Sequence, residues 1–77
     1  PQVTPQVENM LKILKVEMSR DEIMSSLGLN DRKNFREVYL NPAIEYNLVS
    51  LTIPDKPTSS KQKYRLTELG KSVISDR

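Results

Sequence analysis

The chain has 77 residues, of which 36% are hydrophobic, and a formal net charge of +2, so it has room for one small domain with a single thin core. It contains no cysteine and no histidine, which excludes disulfides and the two commonest transition-metal ligands. We expect no cofactor. No apolar run approaches the roughly 20 residues that a membrane span needs, and the N-terminus lacks the pattern of a signal peptide. These features predict a soluble, cytoplasmic domain that has no membrane partner.

The chain starts with two copies of Pro-Gln-Val and has no initiator Met, which resembles a linker more than a folded start. We therefore expect residues 1–4 to be a linker from a larger parent protein and residues 5–77 to form the folded domain. The first helix is predicted from Pro5 to about Lys15, with Thr4 as its N-cap and Pro5 at its first position. Its buried stripe has the spacing i, i+3, i+4, i+7 and consists of Val7, Met10, Leu11 and Leu14.

Residues 16–18 are too few for an independent strand, and the sequence leaves open whether they pair as the short first strand of a sheet. Ser19 and Glu22 have the spacing of a capping box, which starts the second helix. Gly28 lies where a left-handed C-cap is wanted, and the apolar Leu29 that follows is typical of a Schellman motif. The buried residues of this helix are predicted to be Ile23, Met24 and Leu27.

The third helix is predicted over about 31–40, with Asn30 or Asp31 as its N-cap. Its buried stripe consists of Phe35, Val38 and Tyr39. The pair Asn41-Pro42 predicts a break, because proline cannot donate in a helix interior but suits the first turn of a new helix. We expect a short helix from Pro42 to about Tyr46, with Ala43 and Ile44 buried and with Asn47 as a left-handed terminator.

Two runs that alternate apolar and polar residues predict a hairpin. The first run contains Val49, Leu51 and Ile53, and the second contains Tyr64 and Leu66. The long polar connection, about 54–63, is the predicted wing. Thr67 is expected to cap a last helix that turns Leu69, Val73 and Ile74 inward, with Gly70 as a weak point in that helix. The fold class is therefore α+β, mainly α: a winged helix-turn-helix of three to five helices and a small antiparallel hairpin.

The charge distribution indicates a function for this fold. Residues 30–41 and 56–65 hold seven Lys or Arg against two acids, a local net charge of +5, so the other residues sum to −3. We expect double-stranded DNA as the partner, with Arg32, Lys33, Asn34 and Arg36 of the third helix in the major groove. The wing residues predicted to contact the DNA backbone are Lys56, Ser59, Ser60, Lys61 and Lys63.

Other interpretations of the same residues remain open. The third helix could be an ordinary solvated surface on which Arg32 and Arg36 pair with Glu37 or Asp31, and the wing could be an ordinary exposed loop. The three tyrosines could stack on single-stranded nucleic acid, but their positions beside apolar stripes favour the core or its rim. The domain could also be a protein-interaction or dimerisation module that never binds DNA, since a fold does not assign a function.

Five segments carry a resemblance to a known family. They are TPQV at 4–7, MSRDEI at 18–23, LGLNDRKNFR at 27–36, PAIE at 42–45 and TIPDKP at 52–57. Together they resemble the C-terminal winged-helix domain of bacterial Fic-family proteins and of ATP-dependent DNA helicase-related (RecG-like) proteins.

The resemblance implies a bacterial appendage of a larger regulatory protein, whose partners include the remaining domains of the parent chain. It also implies DNA binding or transcription regulation. The Fic adenylyl-transfer motif needs a histidine and a glycine-rich anion loop, and this chain has no histidine and two glycines. A P-loop is absent as well. We therefore expect this domain not to be an enzyme, and any Fic or ATPase activity to belong to the rest of the parent.

Overall fold

The computed structural model describes residues 3–75, which form five α-helices, one π-helical turn and a three-stranded sheet. The helices are α1 (Pro5–Ile13), α2 (Arg20–Leu27), α3 (Arg32–Asn34), α4 (Asn41–Glu45) and α5 (Glu68–Ser75), and the π-helical turn is Phe35–Leu40. The strands are β1 (Met18–Ser19), β2 (Val49–Leu51) and β3 (Lys63–Leu66). This arrangement is a small, mainly helical α+β fold of the winged-helix type, as the sequence predicts. Residues 1 and 2 of the predicted linker lie outside the described residues.

The sheet is antiparallel with the strand order β1-β3-β2. Met18 lies opposite Tyr64, and Tyr64 also lies opposite Leu51 on the other side. The predicted alternation of β3 is confirmed, since Tyr64 is buried while Lys63 and Arg65 are exposed. The sequence leaves the pairing of residues 16–18 open; in the structure only Met18 of these joins the sheet, together with Ser19, in the ladder with β3. The Val16 side chain is left 71% exposed outside the ladder.

N-caps are confirmed at the four helix starts for which the sequence predicts one. The Val7 N–H donates to the Thr4 hydroxyl (3.2 Å), and the capping box of Ser19 and Glu22 has both of its hydrogen bonds. Asp31, not Asn30, caps α3 by accepting from the Asn34 N–H (3.1 Å). The Gly70 N–H donates to the Thr67 hydroxyl (3.0 Å). These bonds satisfy N–H groups that no helix can satisfy internally.

Two left-handed residues end helices where the sequence predicts them. Gly28 has φ +71°, and the Leu29 N–H donates to the Met24 carbonyl (2.9 Å), the bond that defines a Schellman motif. Asn47 has φ +60° after α4. Helix α1, in contrast, ends at Ile13 and not at Lys15, although Leu14 is still buried.

The predicted break at Asn41-Pro42 is wrong, because the chain is helical without interruption from Arg32 to Glu45. The Asn41 N–H donates to the Arg36 carbonyl, five residues back, as in a π-helix. An α-helical turn here would press the proline ring against the carbonyl four residues before it. We attribute the continuity of the helix to the wider π-helical turn that precedes Pro42.

The π-helical turn also changes which residues face inward. Phe35 and Leu40, five positions apart, are buried, whereas the predicted Val38 and Tyr39 are half-buried. The Tyr39 ring stacks on Phe35 with 5.8 Å between ring centroids. In α4 the inward position belongs to Ala43, so the expectation that Ile44 is also buried is wrong; it is 36% exposed.

The core is formed by residues from α1, α2, the π-helical turn, α4 and the sheet. Its fully or nearly fully buried members are Val7, Met10, Leu11, Leu14, Ile23, Met24, Phe35, Leu40, Ala43, Leu48, Val49 and Tyr64. The predicted Leu27 is half-buried and packs against this core.

Helix α5 packs on the core through Gly70, which is buried. A Cβ at this position would clash with the Leu48 carbonyl oxygen. Gly70 is therefore required for the close approach of α5 to Leu48, a packing role that the prediction of a weak point in the helix does not include. Because Gly70 faces inward, its neighbour Leu69 is 46% exposed, contrary to its predicted burial, while Val73 and Ile74 pack against the core.

Candidate nucleic-acid interface

One side of the candidate interface is a row of side chains along the continuous helix. Arg32, Arg36 and Leu40 follow each other at four-residue spacing, which places them on one face of a helix. Arg32 and Arg36 are exposed, and Leu40 is buried at the end of the row. Asp31 aligns the start of this helix through its cap. The row also passes through the π-helical turn, a feature that often occurs at functional sites.

The other side is the wing loop, residues 52–62, which consists of three successive turns. The Lys56, Ser59 and Gln62 N–H groups donate to the carbonyls of Ile53, Lys56 and Ser59, at 3.1, 3.0 and 3.0 Å. Such i to i+3 bonds are typical of β-turns. The loop is thus hydrogen-bonded within itself.

Gln62 fastens the wing loop to the end of the hairpin. Its side chain, 4% exposed, accepts from the Ile53 N–H (2.9 Å). Its amide nitrogen donates to the carbonyls of Ile53 and Lys56. A buried amide must satisfy its polar atoms, and Gln62 does so with the backbone of the loop it closes. Sequence reasoning missed this residue, since a lone glutamine in a polar loop gives no signal.

The helix and the wing loop flank a groove of about 300 Å³. Its lining residues are Arg20, Arg32, Arg36, Leu40, Pro57, Thr58 and Tyr64, and we call it the arginine groove. The structure thereby brings two of the predicted DNA contacts, Arg32 and Arg36, next to the tip of the wing. A smaller neighbouring cavity, about 100 Å³, separates Pro57–Ser60 from Ser19–Asp21 at the start of α2.

Asp21 is the carboxylate beside the arginine groove. Its Oδ1 lies 3.8 Å from Arg20 Nε and 3.8 Å from Arg32 Nη2. Arg32 therefore pairs across to α2, and not with Asp31 or Glu37 as the solvated-helix interpretation expects. These side chains are largely exposed, so the pairs contribute little to stability. Arg20 and Asp21 were not predicted as site residues, because both precede the predicted basic region in the sequence.

Tyr64 separates the arginine groove from the core. It is 6% exposed, and burial raises the pKa of its hydroxyl, with the positive charge of Arg20 acting in the opposite direction. Its position in the core argues against stacking on single-stranded nucleic acid. Among the other tyrosines, Tyr39 packs on Phe35 and Tyr46 is 37% exposed.

The remaining predicted contacts surround the groove without lining it. Lys33, Asn34, Lys56, Ser60, Lys61 and Lys63 are exposed, and Ser59 is half-buried. The Ser59 hydroxyl accepts from the Lys61 N–H (3.1 Å), so part of its hydrogen-bonding capacity serves the loop. Lys63 lies opposite Ser19 in the sheet. Its charge, after the hydrogen bonds from Ser19, helps to lower the pKa of Glu22.

Comparison with known proteins identifies the family. Residues 5–67 match the family described as "Filamentation induced by cAMP protein Fic-like, C-terminal domain". The chain belongs to this family. The Fic-like C-terminal domain is also similar to a solved structure, a Fic family protein from Desulfovibrio desulfuricans G20, with 44% identity and a TM-score of 0.83. The match covers 87% of this chain and 21% of that protein, so the chain spans about a fifth of its relative.

From these matches we assign the chain to the C-terminal, non-catalytic portion of a Fic-family protein. Neither match supports the RecG-like part of the resemblance. A comparison with curated proteins gives no match. Between residues 3 and 75, none of the helices has the length and apolar character to cross a membrane.

Proposed function

We propose that the Fic-like C-terminal domain binds double-stranded DNA and tethers its parent protein to it. The observation that carries this proposal is the arginine groove, in which the exposed helix row and the wing tip flank one cationic surface. In a winged helix these two elements contact the major groove and the adjacent backbone. Arg32, Lys33 and Asn34 lie in the first turn of the helix, where base contacts are made, and Arg36 lies one turn further.

The wing contributes backbone contacts in this proposal. Lys56, Lys61 and Lys63 are exposed, and lysine is a suitable point charge for phosphate. Each phosphate neutralised contributes about 0.9 to the slope of log affinity against log salt, so five or so contacts predict a slope of roughly −4 to −5. Asp21 opposes binding, because it pairs with Arg20 and Arg32 and repels phosphate.

Fluorescence anisotropy with a random-sequence duplex, at low and at physiological salt, tests the proposal. We expect binding that weakens steeply with salt and is lost in Arg32→Ala/Lys33→Ala/Arg36→Ala. The matched control, Lys12→Ala/Lys15→Ala/Lys71→Ala, removes the same charge from α1, its following loop and α5. It should retain most of the binding. Absence of binding by the folded wild-type domain at low salt, or equal loss in both triple variants, would contradict the proposal.

A second candidate function is protein interaction, either as a dimer or with the remaining domains of the parent. The observation that favours it is the exposure of large apolar side chains, with Val16 at 71% and Leu69 at 46%. Analytical ultracentrifugation of the wild type and of Val16→Ser/Leu69→Ser tests self-association. Association that disappears in the double variant and does not respond to salt would favour this function, because apolar contacts are not screened.

A further inference from the structure

We propose that the arginine groove is a binding site for a terminal phosphate monoester, such as a nucleoside 5′-monophosphate or the 5′-phosphorylated end of a DNA strand. This goes beyond duplex binding and does not depend on it. A duplex backbone lies on a surface, whereas the arginine groove is a concave space of about 300 Å³ between the helix and the wing. That volume is at the small end for small-molecule sites, and it suits one nucleotide-sized ligand.

The charge of the groove matches a dianion. Arg20, Arg32 and Arg36 contribute three positive charges and Asp21 contributes one negative charge, which leaves a net charge of +2. A phosphate monoester carries about −1.5 to −2 at pH 7, while an internal phosphodiester carries a single negative charge. A monoester therefore neutralises the groove, and a diester leaves it positively charged.

Guanidinium groups also match the shape of the ligand. Each presents a planar fork of donors that can bind two phosphate oxygens at once. Arg32 and Arg36 belong to the helix and Arg20 to the start of α2, so the arginines that line the groove come from two elements of the fold. Arg36 forms no ion pair within residues 3–75, which leaves its donors available.

The rest of the lining can hold the organic part of the ligand. Pro57, which is exposed, provides apolar surface at the wing tip, and Leu40 and Tyr64 add the small parts of their surface that are not buried. Thr58 adds a hydroxyl. Asp21 pairs with Arg20 and Arg32 and therefore competes with the phosphate for both. We therefore infer that Asp21 limits affinity at this site.

Titration with thymidine 5′-monophosphate, followed by NMR chemical shifts of the groove residues, tests the proposal. We expect saturable shifts in residues of the arginine groove with the monophosphate, no such shifts with thymidine, and about tenfold weaker binding of the methyl phosphodiester of the same nucleotide. Duplexes with and without a 5′-phosphate then distinguish the free nucleotide from a DNA end. Tighter binding of the 5′-phosphorylated duplex would identify the DNA end as a ligand. Equal affinity for the two duplexes would identify the free nucleotide as the ligand.

Two variants with the same charge change separate this site from duplex binding. Arg36→Gln removes a groove arginine and should weaken monophosphate binding about tenfold. Lys33→Gln lies three positions earlier and outside the groove. It should change the affinity for the monophosphate by no more than about twofold while still weakening duplex binding. Asp21→Asn should strengthen monophosphate binding. Equal effects of Arg36→Gln and Lys33→Gln on the monophosphate, or no saturable binding by the wild type, would overturn the proposal, even if duplex binding is observed.

Discussion

The helix from Arg32 to Glu45 and the wing loop 52–62 face each other across the arginine groove, but different interactions hold them in place. The helix is anchored by apolar side chains, since Phe35, Leu40 and Ala43 are all buried in the core. The wing loop is anchored by hydrogen bonds that the Gln62 side chain accepts from Ile53 and donates to Lys56, and by its own turns. Burial of apolar surface is non-directional, whereas hydrogen bonds depend on geometry. We therefore expect the helix side to unfold only with the cooperative core and the wing side to open locally.

The largest expected effect is on the helix side. Phe35→Ala should lower the free energy of unfolding by about 3–5 kcal/mol, because it removes a fully buried ring and leaves a cavity. The matched control is Val38→Ala, on the same turn but half-buried, for which we expect about 1 kcal/mol. Urea denaturation measures both. Similar losses in the two variants would contradict the assignment of Phe35 as the anchor of this helix.

A smaller effect is expected on the wing side. Gln62→Ala removes the hydrogen bonds to Ile53 and Lys56, and it should cost about 1–3 kcal/mol. The loss should be concentrated in the wing, so the Ile53 amide should exchange with solvent faster while amides of α1 keep most of their protection. Ser60→Ala, an exposed position of the same loop, is the control and should change neither. Uniformly faster exchange across the domain would show that the wing unfolds only together with the core.

The start of α2 lies next to both sides of the groove, and its capping box contributes less than either anchor. Ser19→Ala should cost about 1 kcal/mol, because the Glu22 N–H loses its acceptor. Ser26→Ala, at an exposed position later in α2, should cost nothing or stabilise slightly, since alanine is the better helix former. Thermal unfolding monitored by circular dichroism compares the two. If Ser26→Ala lost as much stability as Ser19→Ala, the N-cap would not explain the effect of Ser19→Ala.

The smallest effect concerns pH. The hydrogen bonds from Ser19 lower the pKa of Glu22 below its ordinary value of 4.5, since they favour the ionised carboxylate. This stabilisation is present above pH 4.5 and is lost as pH falls through the lower pKa of the folded state. An NMR titration of the Glu22 carboxyl should show a lowered pKa in the wild type and a partial return toward the ordinary value in Ser19→Ala, because alanine removes the hydroxyl but keeps the backbone N–H that donates to Glu22. An unchanged pKa in that variant would show that the Ser19 hydroxyl does not contribute and that the backbone N–H accounts for the shift.

Short-range signals account for the parts of the fold that the sequence predicts well. The caps at Thr4, Ser19, Asp31 and Thr67 and the left-handed residues Gly28 and Asn47 all appear where expected. Each of these features depends on hydrogen bonds or sterics within about five residues, so its cause is visible in a short window of sequence.

The errors occur where a distant part of the chain decides the outcome. Gly70 is needed because the backbone of Leu48, more than 20 residues earlier in the chain, approaches it, and Leu69 is left exposed beside it. The candidate site shows the same division. The exposed row of Arg32 and Arg36 is predictable from helix periodicity, but its third arginine, Arg20, and the competing Asp21 come from α2.

The sequence by itself thus determined the fold class, the four capped helix starts, the hairpin and the basic character of the third helix and wing. Only the tertiary structure decided that the helix runs through Pro42, that Gln62 closes the wing, and that Arg20 and Asp21 join the groove. The physical reason is the distance along the chain over which each interaction acts. Capping, turn chemistry and periodicity act between near neighbours in the chain, whereas packing and charge pairing act between groups that only the folded chain brings together.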